Sequence, residues 1–115
     1  MFKFDRNDKV LVLRLLGGDT NEPDMVVSEM TVVKYENGVA HFRNLHGDEL
    51  ICPIKSINRG DYNPYVFNAN ADVEHIIEQT ANEYECAMKL NDDMVIASGG
   101  EPVQNRQKLK ITRRV

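Results

Sequence analysis

The side chains best suited to chemistry in this chain fall into a few small groups. His41, His46 and Cys52 surround one predicted hairpin and are residue types that bind zinc. Structural zinc takes paired ligands such as Cys-x2-Cys, and catalytic zinc needs three protein ligands. This spacing supplies neither, so the three read as strand and turn residues. His75 and Cys86 are a base and a nucleophile by type. Eleven positions along a helix part them by about 16 Å at roughly 1.5 Å per residue, too far to act together. The carboxylate pairs Asp48-Glu49 and Asp92-Asp93 fall at expected turns, where Asp is favoured for backbone reasons. Gly17-Gly18 and Gly99-Gly100 lack both the Lys-Ser/Thr of a phosphate loop and the glycine spacing of a dinucleotide site. No catalytic, cofactor-binding or metal-ligating residue is therefore expected, and an enzyme with an unrecognised site is the least favoured reading.

Charge points to binding instead. The net charge of −4 is unevenly spread: Asp61 to Glu101 holds nine acidic residues against one basic, Lys89. From Pro102 onward there are five basic residues and no acidic one. Such a distribution speaks to partners rather than to fold. A protein partner is the first expectation. Its candidate contacts are Asp19, Asn21 and Glu22 in a polar loop, Tyr62 and Tyr65 in an aromatic segment, and His75, Gln79 and Cys86 on the polar face of a helix. Nucleic acid is the alternative, through Lys108, Lys110, Arg113 and Arg114 with Arg43 as phosphate contacts and Tyr62, Tyr65 and Phe67 as stacking rings. Homo-oligomerisation stays open. No apolar run approaches the roughly 18 residues of a membrane span, and the charged start MFKFDRND is unlike an export signal, so the expected place is the cytoplasm. Cys52 and Cys86 are then expected as reduced thiols, with Cys52 packed as a small hydrophobe.

The elements that must position these groups follow from periodicity. Lys9 to Leu16 predicts a strand covered on both faces, with Val10, Val12 and Arg14 on one and Leu11, Leu13 and Leu15 on the other. Gly17 to Asp24 reads as a loop standing off the surface. A second strand is expected from Met25 to Tyr35, with a bulge near Ser28-Glu29 where its alternation slips. Asn37-Gly38 predicts a type I′ hairpin turn into a third strand, Val39 to Asn44. Glu49 to Cys52 is the fourth, and Ile54 to Ile57 suits a single 3₁₀ or helical turn. Tyr65 to Phe67 is a short strand. Apolar or small residues at Val73, Ile76, Ile77, Thr80, Ala81, Tyr84, Ala87 and Met88 predict an amphipathic helix over 72–90, N-capped by Asp72. Met94 to Ala97 and Lys108 to Val115 read as two strands of a C-terminal hairpin.

Lys9-Val10-Leu11-Val12, the Gly-rich loop, Met30 to Glu36, Asn37-Gly38, Val39 to Phe42, Gly47-Asp48-Glu49-Leu50 and the closing Pro53-to-Ile57 turn together resemble SH3-like small barrels of the Tudor and KOW type, over roughly residues 3–60. The resemblance implies a module that binds protein tails or nucleic acid and is not itself an enzyme. The aromatic cage for methylated side chains is matched only loosely, by Tyr35 and Phe42. The expected fold is α+β in one domain over 1–115: a strongly bent antiparallel sheet or SH3-like small barrel over 3–57, a long helix packed on it over 72–90, and a hairpin over 94–115. The expected function is a small non-catalytic binding module, acting as an accessory regulator or inhibitor.

Overall fold

The computed structural model describes residues 3–60 and 64–114, which leaves Met1, Phe2, Asp61, Tyr62, Asn63 and Val115 outside the described residues. Five strands come first, β1 (Lys9–Leu16), β2 (Asp24–Glu36), β3 (Val39–Arg43), β4 (Glu49–Pro53) and β5 (Tyr65–Asn68), with a 3₁₀ turn at Ile54–Ser56 between β4 and β5. The helix α1 (Val73–Ala97) and a last strand, β6 (Lys110–Arg114), follow. The sheet order is β4-β3-β2-β1-β5, antiparallel throughout, and β6 is added in parallel beside the first half of β2. The sheet bends strongly but does not close into a barrel.

Both faces of β1 are buried, as its unbroken apolar run requires. Leu11, Leu13 and Leu15, opposite Glu29, Val27 and Met25 of β2, lie under α1 and pack with Ile77, Ala81, Tyr84 and Met88. Val10 and Val12 face the inside of the bend with Met30, Val32, Ala40, Phe42, Cys52 and Val66. Phe4, Ile54 and Ile57 pack at the border of this inner cluster. The Asn37-Gly38 turn has φ of 54° and 75°, the two positive values that a type I′ turn demands. Pro53 ends β4, the outermost strand beyond β3, where a missing N–H costs no ladder bond.

Several expectations need correction. The register of β1 on β2 is unbroken from Lys9–Thr31 to Leu16–Asp24, so no bulge forms at Ser28-Glu29; the slip lies between Val32 and Lys34, against β3. The adjacent valines Val26-Val27 need no bulge because both faces of β2 are covered there. Residues Met94 to Ala97 are not a strand but the last turn of α1. Asn91-Asp92-Asp93 contains no helix breaker, and the helix runs on until Ser98 and a left-handed Gly99 at φ 83°. Without that strand there is no C-terminal hairpin. The final segment instead crosses back past α1 and pairs with β2 in parallel, from Asp24–Lys110 to Ser28–Arg114. Leu109 is buried under α1 just before it, and the Thr112 hydroxyl donates to the Asp24 carboxylate at 2.9 Å.

Candidate functional site

Arg106 determines what the loop between β1 and β2 can do. Its Nε and Nη2 hold the two carboxylate oxygens of Asp92 on α1 at 3.2 and 2.8 Å. Its Nη1 donates to the backbone carbonyls of Gly18 and Thr20 at 2.7 and 3.1 Å and touches Met88 Sδ at 3.5 Å. The N–H of Gln107 adds a bond to the Asn21 carbonyl at 2.7 Å. The side chains of Arg106 and Asp92 are only 14% and 21% exposed, so this pair is largely removed from solvent screening. The loop that was expected to stand off the surface is therefore fastened to the helix and the C-terminal segment. Asp19, Asn21 and Glu22 remain exposed on it.

The aromatic segment and the polar helix face, separate in sequence, adjoin in space. Tyr65, on β5, lines a shallow depression with Gln79, Asn82, Glu83, Cys86 and Leu90 of α1. Tyr65 stacks on Phe67 at 6.1 Å and meets the edge of Tyr84 at 5.6 Å. Burial pushes the Tyr84 phenol well above its ordinary range, and its hydroxyl donates to the Leu13 carbonyl at 3.2 Å. His75, one turn before Gln79, is exposed on the same side of the helix. Beyond the depression the last two turns of α1 carry Leu90, Met94 and Ile96 at 60%, 61% and 56% exposure. Three large apolar side chains on one exposed helix end are unusual for a helix whose other turns keep such groups inside.

The basic residues expected to form one nucleic-acid edge are divided between faces. Strand alternation puts Lys110, Thr112 and Arg114 on the face away from α1, and Arg113 on the face beside it. Arg113 pairs with Glu74 at 2.8 Å, and Arg43 pairs with Glu49 at 2.6 Å. The Arg43 guanidinium, first through its hydrogen bond and then through its charge, holds the Glu49 carboxyl below the usual carboxylate range. Lys108 is exposed just before β6. His41 and Cys52 lie on opposite faces of the β3–β4 pair, since His41 is opposite Ile51 and Cys52 opposite Ala40. His46 is exposed in the turn between them. Cys52 is buried, which pushes its thiol up, whereas Cys86 is exposed, and both are free.

Two features escaped the sequence. Arg106 looked like one of five basic residues near the C-terminus, and only its partners, up to 88 positions away, distinguish it. The second is a groove at the mouth of the bent sheet, between the β2–β3 turn, the 3₁₀ turn and β5. No helix among the described residues is long and apolar enough to cross a membrane. No protein-family model, curated protein or solved structure matches the chain.

Proposed function

We propose that this chain is a small non-catalytic binding module that docks a protein partner on the outer side of α1, over Tyr65, Cys86, Leu90 and Met94. The observation that carries the reading is the exposed apolar end of the helix beside a depression of aromatic and amide groups. Burying Leu90 and Met94 at an interface would contribute about 1–2 kcal/mol each, since a little over half of each side chain is still available to bury. Charge specifies the partner's chemistry. Glu74, Glu78, Glu83, Glu85 and Asp93 are all exposed on α1, against Lys89 as its one lysine or arginine. The matching surface is an apolar stripe flanked by lysines and arginines, as on a basic amphipathic helix. A module of this kind acts by occupying a partner's surface, which suits an accessory regulator or inhibitor.

The strand order β4-β3-β2-β1-β5, with a 3₁₀ turn before β5, supports reading the N-terminal part as an SH3-like barrel left open. That likeness concerns fold and selects no ligand.

Cys86 offers the direct test, because it is exposed and Cys52 is buried, so a thiol-reactive crosslinker attaches at one place. The labelled chain should capture one defined protein, and the Leu90→Glu/Met94→Glu variant should lose it. Capture of a second copy of this chain would make the partner its own kind. Equal capture by the variant would overturn the reading.

A further inference from the structure

The groove at the mouth of the bent sheet has a described lining that holds cations and no carboxylate, in a chain of net charge −4. Lys3, Lys55 and Arg59 line it, together with the rings of Phe4, Tyr35 and Phe67. Its volume is about 1350 Å³, above the roughly 300–1,000 Å³ of pockets for small molecules, so it suits an extended ligand. The cations are contributed by different segments, Lys3 by the N-terminal stretch, and Lys55 and Arg59 by the 3₁₀ turn and the residues after it. None of the three forms an ion pair with a carboxylate among the described residues, whereas Arg43, Arg106 and Arg113 all do. Tyr35 is nearly half exposed at the groove, and Phe4 is half-buried against the inner cluster.

Two kinds of extended anion fit such a lining, an acidic peptide and a single-stranded nucleic acid. β5 distinguishes them. An extended peptide gains its affinity from main-chain bonds to a free sheet edge. Here the side-chain amide of Asn58 already occupies that edge: its Oδ1 accepts from the Val66 N–H at 2.8 Å and its Nδ2 donates to the Val66 carbonyl at 3.1 Å. Asn58 reaches this position from a left-handed backbone, φ 59°, and its own N–H bonds the Pro64 carbonyl. With the ladder edge blocked, what the groove still offers is positive charge for a backbone and ring faces for stacking, the combination that holds single strands without reading sequence.

We infer that this groove binds single-stranded nucleic acid, with Lys3, Lys55 and Arg59 on its phosphates and Tyr35 and Phe4 against its bases. The site is separate from the outer side of α1 and from the basic residues of β6. A duplex is disfavoured because the nine acidic residues between Asp61 and Glu101 repel a long polyanion that does not thread the groove.

The test is fluorescence anisotropy of the full chain with a labelled oligothymidylate of about a dozen nucleotides, a length within single-strand site sizes. Three cations at roughly −0.7 each give an expected slope of log K against log salt of about −2. Lys55→Glu/Arg59→Glu, at exposed positions, should weaken binding by more than about tenfold and flatten that slope. Tyr35→Ala should weaken it about tenfold without changing the slope. Lys110→Glu/Arg114→Glu should leave binding unchanged. No binding at low salt would overturn the inference. So would equal binding by the groove variants, loss confined to the β6 variant, or tighter binding of an oligoglutamate peptide or of duplex DNA.

Discussion

Arg106 shows how much one side chain can settle. It joins a loop, a helix and the approach to β6 through a paired carboxylate and two carbonyls. Charged hydrogen bonds in a site this little exposed are worth more than surface pairs, and removing one member leaves Asp92 without its partner. Arg106→Met should therefore cost about 2–4 kcal/mol in urea unfolding. It should also expose the loop over residues 17–23 to proteolytic nicking. A double-mutant cycle with Asp92→Asn should show coupling; additive effects would mean that the two side chains do not act as a unit. Asn58 works on the same principle at the β5 edge. Asn58→Gly tolerates the left-handed backbone and removes the amide, so its expected cost of about 1–2 kcal/mol reports the two bonds to Val66 together with the greater freedom of Gly in the unfolded chain. Neither role is visible in the sequence, because Arg and Asn are common residues and the partners of Arg106 lie 14 to 88 positions away.

At the level of elements, local periodicity carried the reading as far as local physics applies. β1 and the Asn37-Gly38 turn follow from a buried apolar run and a pair of residues that accept positive φ. The apolar stripe of α1 predicts a helix of about five turns over 72–90, but α1 runs on to Ala97. Asn91-Asp92-Asp93 resembles a turn by composition, yet Asp92 faces Arg106 and stabilises the helix it seemed to end. The parallel pairing of β6 with β2 depends on a long-range return of the chain, which no local pattern encodes. Tyr84 is the buried anchor of α1 on β1, and its phenol titrates above its ordinary value near 10 because burial opposes the phenolate. The raised value means that the neutral phenol favours the folded state. That contribution is complete below pH of about 10 and is lost as pH rises through the raised value. Stability should fall above that pH, and Tyr84→Phe should flatten the fall while costing about 0.5–1.5 kcal/mol at neutral pH for the lost bond to Leu13. An unchanged alkaline profile in Tyr84→Phe would contradict the assignment.

The whole molecule measures 47 × 29 × 23 Å, with a radius of gyration of 15.2 Å against roughly 13 Å for a compact chain of this length. A helix of 25 residues, roughly 37 Å long, accounts for the elongation, since its last fully buried residue is Met88 and its end carries Leu90, Met94 and Ile96 into solvent. Composition shows that charge is unevenly spread but not which charged and aromatic groups meet in space. The surface on α1 joins a strand and a helix, and the groove gathers residues from the N-terminal stretch, a hairpin turn, a 3₁₀ turn and β5. Only folding brings either set together. The most direct measurement is calorimetric titration of the protein captured through Cys86 against three chains: wild type, Met94→Glu, and Asp19→Ala/Glu22→Ala. Docking on α1 requires affinity to drop about tenfold or more for Met94→Glu and to stay unchanged for the loop variant. Unchanged affinity for Met94→Glu with a loss for the loop variant would place the partner on the β1–β2 loop and contradict the proposed function.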